Sequence, residues 1–418
     1  MKKGIALLLA LALLLTGCGS ARRKVTDVKV KGTDLMTGVK AADVALLENL
    51  PEHSEPLTSF GVELFQNSMK PGKNTLISPL SVLYALGMTA NGAQGNTLSQ
   101  METVMGLPRE QLNNWLHTYA QQGGQQKLFV ANSIWFQDNP NLSLKEEFLQ
   151  TNADYYGAEL YRIPFDDGAC GQINKWVEGK TAGMIKNILD EIPEEAVMYL
   201  INALAFESKW DEPYEEYQVW DEIFTTEDGQ ERTVDMMHSG EDNHYLEDDL
   251  ATGFCKWYEG NRYYFVALLP KEGVSVEEYV QSLTGEHLQQ LLAEPQQVDV
   301  KAGIPQFEAE FNADMAEILS AMGMPDAFSR NNADFSCMGS YEQGDFYITR
   351  VLHKTFISVE ESGTKAAAAT VVEAAPEAAA PPMEEEIKEV ILDRPFVYLI
   401  VDNSAQIPVF MGTVMDIQ

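Results

Sequence analysis

Residues 363–382 read GTKAAAATVVEAAPEAAAPP, and this segment most limits how the chain can fold. It is rich in Ala and Pro and has no large side chain. Only 36 residues follow Pro382, too few for a second domain, so a linker between two domains is disfavoured. Pro376 would interrupt a surface helix. The sequence therefore predicts a long exposed loop near the end of one compact domain, and such loops are usually functional.

The same segment has the side-chain pattern of a β-strand, in which successive side chains point to opposite faces. One face would carry small, mostly apolar residues, namely Thr364, Ala366, Ala368, Thr370, Val372, Ala374 and Pro376. The other face would carry every charge, namely Lys365, Glu373 and Glu377, beside Ala367, Ala369, Val371 and Ala375. Gly363 supplies a backbone hinge in front of it. The segment therefore suits both an exposed loop and a buried central strand.

The rest of the chain predicts helices early and strands late, which is typical of an α+β protein. Helical spacing of apolar residues occurs at 57–65, 81–88 and 174–189. Buried strands are predicted at 127–136, 197–206, 262–269 and 396–401.

The first residues resemble the export signal of a bacterial lipoprotein. Lys2 and Lys3 precede an apolar run that is too short to span a bilayer stably, so residues 1–17 read as a signal peptide. The run ends Leu15-Thr16-Gly17-Cys18, similar to a lipobox whose Cys takes the lipid. An ordinary secretory signal is the alternative. We expect an extracytoplasmic protein, anchored to the membrane through Cys18 or secreted, with residues 18–54 as a tether.

Composition argues against several kinds of partner and site. The formal charge of −34 disfavours nucleic acid. No G-x-S-x-G, P-loop, H-E-x-x-H or G-x-G-x-x-G motif is present, so we expect no enzyme and no cofactor. No two His have helical metal-ligand spacing, so no metal site is expected. Cys170, Cys255 and Cys337 are widely spaced and read as small buried residues, although one disulfide among them stays open.

Several segments resemble the serpin family, in that family's order, over residues 55–418. They are NTLISPLSVLYALGMTANGAQG (74–95), ANS (131–133), INKWVEGKTAGMI (173–185), LINALAFESKWDEPY (200–214), ADFS (333–336), LHKTFISVEESGTKAAAAT (352–370) and RPFVYLIVDNSAQIPVFMGTV (394–414). The segment 352–370 is specific by itself.

The resemblance implies a single domain of three β-sheets and about nine helices, with an exposed reactive-centre loop at about 361–390. It also implies inhibition of serine proteases by a suicide-substrate mechanism. The protease cuts the loop, the cut loop inserts into the main sheet, and the protease is trapped as an acyl-enzyme. A non-inhibitory serpin, acting as a binding or chaperone-like module, is the alternative. Four consecutive Ala and an uncharged inserting face favour inhibition.

The resemblance also implies roles for particular residues. The hinge and inserting loop comprise Glu361, Gly363, Thr364, Ala366, Ala367, Ala368, Ala369 and Thr370. The gate through which the main sheet opens comprises Ser78, Ser81, Asn202, Trp210 and His353. The scissile bond would lie 14 positions after Gly363, at Glu377-Ala378.

These residues suggest the class of partner. Glu377 favours a glutamate-specific protease, whereas cleavage at Val372, Ala375 or Ala378 would favour an elastase-like one. Residues 109–127 lack a basic cluster, so heparin is not expected as a partner. We expect a monomer.

Overall fold

The computed structural model describes residues 24–124, 127–193, 196–241, 244–340, 346–364 and 387–417. Its α-helices are α1 (Ser54–Ser68), α2 (Pro79–Ala90), α3 (Gly95–Met105), α4 (Arg109–Tyr119), α5 (Glu146–Tyr156), α6 (Ala169–Lys180), α7 (Val276–Ser282), α8 (Gly285–Ala293) and α9 (Ala316–Met322). Its strands are β1 (Thr33–Asp34), β2 (Thr75–Ile77), β3 (Leu128–Gln137), β4 (Ser143–Leu144), β5 (Glu159–Ile163), β6 (Met198–Phe206), β7 (Ser208–Lys209), β8 (Val219–Thr225), β9 (Glu231–Glu241), β10 (Tyr245–Glu247), β11 (Ala251–Trp257), β12 (Tyr263–Pro270), β13 (Asp299–Pro305), β14 (Phe307–Asp314), β15 (Gly339–Ser340), β16 (Arg350–Glu360), β17 (Gly363–Thr364), β18 (Ile387–Ile391), β19 (Phe396–Asp402) and β20 (Ile407–Val414).

Three large sheets carry most of these strands. The main sheet has eight strands in the order β1-β5-β3-β6-β16-β17-β7, with β14 also paired to β16. A six-stranded sheet runs β10-β11-β12-β19-β20-β2, and a four-stranded sheet runs β18-β13-β9-β8. β4 and β15 form a separate pair. Across the described ranges the predicted α+β class is confirmed, with nine α-helices around three large sheets.

The main sheet is packed on both faces. On one face lies α2, in which all twelve residues are buried, as expected of a helix that is apolar all round. Ser78 caps this helix by accepting a hydrogen bond from the Ser81 N–H, and Pro79 occupies its first turn. On the other face, α6 covers a second apolar cluster that includes Trp135, Ile173 and Trp176.

The helix predicted over 174–189 is wrong in its second half, because α6 ends at Lys180. Positive φ angles at Ala182, Gly183 and Asn187 turn the chain out of the helical conformation. The apolar residues that suggested a longer helix, such as Ile185 and Leu189, pack into the second cluster from non-helical backbone. The four predicted strands are confirmed in β3, β6, β12 and β19.

Residues 24–49 run along the body of the domain instead of projecting from it as a solvated linker. Backbone N–H groups of Thr26, Lys31, Leu35, Ala42 and Leu47 donate hydrogen bonds to groups on α6, β5, α5 and α4. The short strand β1 pairs with β5 at the edge of the main sheet. The part of the expected tether that the structure describes is therefore fastened to the domain at several points.

Cys170, Cys255 and Cys337 carry free thiols, with Cys255 buried and the other two half-buried. Over the ranges that the structure describes, none of the helices has the length and apolar character needed to cross a bilayer.

Candidate functional site

Some of the predicted site residues lie outside the described ranges. They are Cys18, Ala366, Ala367, Ala368, Ala369, Thr370, Glu377 and Ala378. The structure does describe Glu361, Gly363 and Thr364, where the loop leaves the body, and the five predicted gate residues.

The candidate site is the junction between β6 and β16 in the main sheet. These strands are parallel neighbours, paired from Tyr199 with Arg350 to Ala205 with Phe356. We call this stretch the closed seam. Its upper end is the end nearest Glu360, where β16 continues past the last residue that pairs with β6.

Above the closed seam, the chain after β16 turns back into the sheet. Residues 361–362 form the turn, and Gly363 and Thr364 return as β17, which we call the hinge strand. The hinge strand lies between β16 and β7 and is antiparallel to both. Gly363 and Thr364, the start of the predicted inserting segment, are therefore already a strand of the main sheet.

No residue other than glycine fits at position 363 unless the neighbouring backbone moves. Its φ angle is +141°, which L side chains rarely adopt, and a Cβ here would lie 2.2 Å from the Ser208 carbonyl oxygen. The close approach of this backbone to β7 therefore depends on glycine.

Thr364 is fully buried, and its Oγ1 lies 2.6 Å from the Tyr258 hydroxyl oxygen, with which it forms a hydrogen bond. The Tyr258 ring stacks on Trp210, with 4.4 Å between ring centroids and 11° between planes. The Trp210 indole N–H donates to the Glu360 carbonyl at 2.9 Å. A rigid aromatic pair therefore supports both the end of β16 and the hinge strand.

The turn before the hinge strand is also held by backbone bonds. The Trp210 N–H donates to the Ser362 carbonyl at 3.2 Å, and the Tyr214 N–H donates to the Glu361 carbonyl at 2.9 Å. Glu361 thus takes part through its backbone oxygen.

A buried polar network crosses the closed seam lower down. The Ser78 N–H donates to Nε2 of His353 at 3.1 Å, and Nδ1 of His353 lies 2.5 Å from Oδ1 of Asn202. The Asn202 amide in turn donates to the Ser81 carbonyl and, at 2.7 Å, to Oδ1 of Asn132. Strands β3, β6 and β16 and the start of α2 are thus joined by one chain of hydrogen bonds.

Burial lowers the pKa of His353 to about 3, so its imidazole is neutral at physiological pH. Because the Ser78 N–H needs an acceptor, Nε2 carries no proton, and Nδ1 carries the proton that it donates to Asn202. Protonation of Nε2 would place two donors against each other inside the core.

The structure brings four of the five predicted gate residues, Ser78, Ser81, Asn202 and His353, into this one network. It places the fifth, Trp210, in the aromatic cluster beside the hinge strand.

Sequence reasoning missed two participants, Asn132 and Tyr258. Asn132 is a polar residue inside a mostly apolar strand, which is a detectable signal of a buried polar partner. Tyr258 carries no such signal, because its contact with Thr364 joins residues 106 positions apart.

The geometry suits the addition of a strand. A chain that continued from Thr364 between β6 and β16 would be antiparallel to both, replacing one parallel pair by two antiparallel pairs, which are slightly more stable per residue. The cost would fall on the hydrogen bond between His353 and Asn202, because it crosses the gap that must open.

Comparisons with known proteins agree with this architecture. The family model described as serpin (serine protease inhibitor) matches residues 55–417. A serpin-like protein of Thermococcus kodakarensis is 31% identical over 86% of this chain and 84% of its own length. The leukocyte elastase inhibitor of Equus caballus is 29% identical over 85% and 97%. The native state of the thermophilic serpin tengpin superimposes with a TM-score of 0.88 at 44% identity, covering 93% of this chain and all of that one.

Proposed function

This chain belongs to the serpin family, whose members are in general serine protease inhibitors, and we propose that it traps a serine protease by inserting its cleaved loop into the main sheet. The hinge strand is the observation that carries the proposal. It occupies the upper end of the gap that an inserting loop would enter, in the direction that insertion requires.

The loop sequence supports insertion along this register. β17 pairs Gly363 with Glu360 and Thr364 with Val359, so each later loop residue would pair one position earlier on β16. A strand continued without a bulge would set Ala366 against Ile357 and Ala368 against Thr355, both of which are fully buried. Small side chains are what such crowded positions accept.

The proposed scissile bond is Glu377-Ala378, and the proposed target is a glutamate-specific or elastase-like protease. The relative named leukocyte elastase inhibitor supports the second class. Residues 363–377, at about 3.3 Å each, would span roughly 50 Å, enough to carry an attached protease from one pole of the domain to the other.

The test is to mix the purified protein with a panel of glutamate-specific, elastase-like and trypsin-like serine proteases. We expect a covalent band that survives SDS, at the summed mass of protein and protease, and a new N-terminus at Ala378. Glu377→Arg should move inhibition toward trypsin-like enzymes, because this side chain enters the primary pocket of the protease. A protein that is cleaved while every protease stays active would instead be a non-inhibitory serpin.

We also propose that Cys18 carries a lipid and that the protein lies outside the cytoplasm. The support is the lipobox-like Leu15-Thr16-Gly17-Cys18 after an apolar run. Cys18→Ser should move the protein from the detergent phase to the aqueous phase, whereas the control Cys337→Ser should not. Partitioning of the wild type into the aqueous phase would contradict the anchor.

A further inference from the structure

One exposed segment begins where the loop leaves the body and continues into the sheet to which the loop returns. At one end, the Trp210 and Tyr214 N–H groups donate to the Ser362 and Glu361 carbonyls, next to the hinge strand. The chain after the loop returns as β18, and β18 and β8 are the two edge strands of the four-stranded sheet. Residues 211–225, which we call the ridge, therefore start beside the hinge strand and continue into the sheet that receives the end of the loop.

The ridge exposes large apolar side chains. Tyr217 is 81% exposed, and Trp220 and Ile223 are each 46% exposed. Trp220 and Ile223 lie on β8, which is an edge strand of the four-stranded sheet. Proteins usually protect such an edge, so exposed aromatic and aliphatic groups on it indicate a binding surface.

Trp220 is held in position before any partner arrives. Its ring stacks on His238, with 3.8 Å between centroids and 4° between planes, and its indole N–H donates to Glu222 at 2.9 Å. A fixed aromatic group loses little conformational freedom on binding, which is what an interface anchor requires.

The charge around these side chains indicates which kind of partner can bind. Residues 211–231 contain nine acidic residues and no Lys or Arg, and the acidic ones are Asp211, Glu212, Glu215, Glu216, Asp221, Glu222, Glu227, Asp228 and Glu231. All of them except Glu222 are exposed. A partner for this surface must therefore be basic, and its Arg and Lys side chains can also lie over the aromatic rings.

We propose that the ridge docks a basic surface of the target protease beside its active site. This inference rests on the proposed inhibitory function and refines it, because it restricts the target to proteases that are cationic next to the substrate cleft. A protease held on the loop would lie near the ridge, since the ridge starts beside the hinge strand and β8 shares a sheet with β18. Opposite charges that meet in this way raise association rates by about 10- to 1000-fold and lose that effect in salt.

The test measures the rate of covalent trapping for two elastase-type proteases, one cationic and one anionic, at low and high ionic strength. The ridge variant is Glu212→Gln/Glu216→Gln/Asp221→Asn. The matched control, Glu63→Gln/Glu272→Gln/Glu294→Gln, removes three exposed charges elsewhere. A separate variant, Tyr217→Ala, removes an aromatic group that contributes little to the core.

We expect the ridge variant to trap the cationic protease about tenfold more slowly at low salt, with the difference vanishing at high salt. The anionic protease and the control variant should show no such loss. Tyr217→Ala should slow trapping by severalfold at both salt concentrations. The ratio of inhibitor consumed to protease trapped should not change, because insertion is untouched.

Equal trapping rates for the ridge variant and the wild type would overturn the ridge proposal while leaving inhibition standing. The absence of trapping with either protease would instead overturn the proposed function. Self-association of the wild type, lost in Tyr217→Ala, would show that the ridge serves a second copy of this chain and would also overturn the proposal.

Discussion

At the upper end of the closed seam the hinge strand separates β16 from β7, the short strand that follows β6, whereas lower down β16 and β6 are directly paired. The upper end rests on an aromatic stack and on one hydroxyl pair, Thr364 with Tyr258. The lower end contains the buried network of His353 and Asn202. Burial raises the pKa of Tyr258 well above its usual value, so this hydroxyl keeps its proton, whereas burial lowers the pKa of His353 to about 3, so this imidazole is neutral at neutral pH and gains a proton only in acid.

This difference divides insertion into two physical tasks. At the upper end a strand exists, and adding residues to it extends pairing that has already begun. At the lower end the strands must separate, and a buried polar bond across them must break, at a cost of about 1–3 kcal/mol for each group left unsatisfied. We therefore expect changes at the hinge strand to decide whether insertion starts, and changes in the network to decide how firmly the uncut sheet stays closed.

Thr364→Arg should have the largest effect, because it disrupts the hinge strand at the upper end of the seam. Thr364 is fully buried, and an unpaired Arg at this position costs about 3 kcal/mol or more. Each 1.4 kcal/mol slows insertion about tenfold, so insertion should slow by about a hundredfold or more, and hydrolysis of the acyl-enzyme should then outpace it. The assay is an SDS gel with residual protease activity, which should show a cleaved band, no complex and an active protease.

Lys365→Arg is the matched control, because it keeps the charge and changes the neighbouring residue, which alternation along the chain predicts to lie on the opposite face of the inserted strand. It should still inhibit. If Thr364→Arg and Lys365→Arg form complex equally well, the burial of Thr364 has no bearing on insertion.

Acid should weaken the buried network of His353 at the lower end of the seam and leave the contacts of the hinge strand unchanged. Burial lowers the pKa of His353 from 6.5 to about 3, so the unfolded chain binds a proton at a higher pH than the folded protein does. This contribution to stability is complete above about pH 6.5 and is lost as pH falls toward 3, by at most about 1.4 kcal/mol per pH unit. At pH 5 the loss should be about 2 kcal/mol.

The measurement is the midpoint of denaturant-induced unfolding at pH 7 and at pH 5. The wild type should lose more stability on acidification than His353→Gln, whose side chain does not titrate. His53→Gln, which lies outside the network, should behave as the wild type. An equal loss of stability in the wild type and in His353→Gln would show that acid does not act through the network of His353.

Tyr258→Phe should loosen the hinge strand without removing the aromatic stack. The ring that stacks on Trp210 remains, but the Thr364 hydroxyl loses its buried partner, at a cost of about 1.5 kcal/mol. Hydrogen exchange at residues 363–364 should therefore speed up about tenfold. In Tyr258→Phe/Thr364→Val both hydroxyls are absent, and much of the protection should return. Unchanged exchange in the single variant would mean that the backbone pairing alone holds β17.

The fold was largely predictable from the sequence because its strands are long apolar runs. The α6 region was not, because the same apolar spacing that predicts a helix over 174–189 also serves extended chain packed on a sheet, and only the positive φ angles after Lys180 separate the two. The path of residues 24–49 was missed for a similar reason. Their few apolar groups, such as Leu35 and Leu47, have no periodicity, and their attachment depends on backbone hydrogen bonds.

The features of the site that depend on residues close together in the sequence could be predicted, whereas contacts between distant residues could not. The small, uncharged face of the loop follows from alternation along the chain and stays a prediction, because residues 365–386 lie outside the described ranges. Resemblance to a family selected the gate residues. The separation of Trp210 from the other four gate residues could not be read, since it depends on where β6 stops pairing with β16. The partner of Thr364 could not be found either, because nothing in the sequence links it to Tyr258.

The smallest expected effect concerns what replaces the bond between His353 and Asn202 once the loop has inserted. β17 pairs Thr364 with Val359 on one side and with Ser208 on the other, and the same register continued without a bulge sets Thr370 opposite both His353 and Asn202. Insertion would increase the separation of β6 and β16 by one strand spacing, about 4.8 Å, which breaks their direct contact. The Thr370 hydroxyl can accept from His353 and donate to Asn202, so both groups would stay satisfied.

Thr370→Val keeps the shape and removes the hydroxyl, and it should lower the free energy of unfolding of the loop-cleaved protein by about 1 kcal/mol. The uncut protein should be unaffected, because there His353 and Asn202 bond to each other. Thr370→Ser retains the hydroxyl and should match the wild type in both forms. If the cleaved Val and Ser variants unfold at the same denaturant concentration, Thr370 does not reach the network, and the register read from the hinge strand does not continue down the seam.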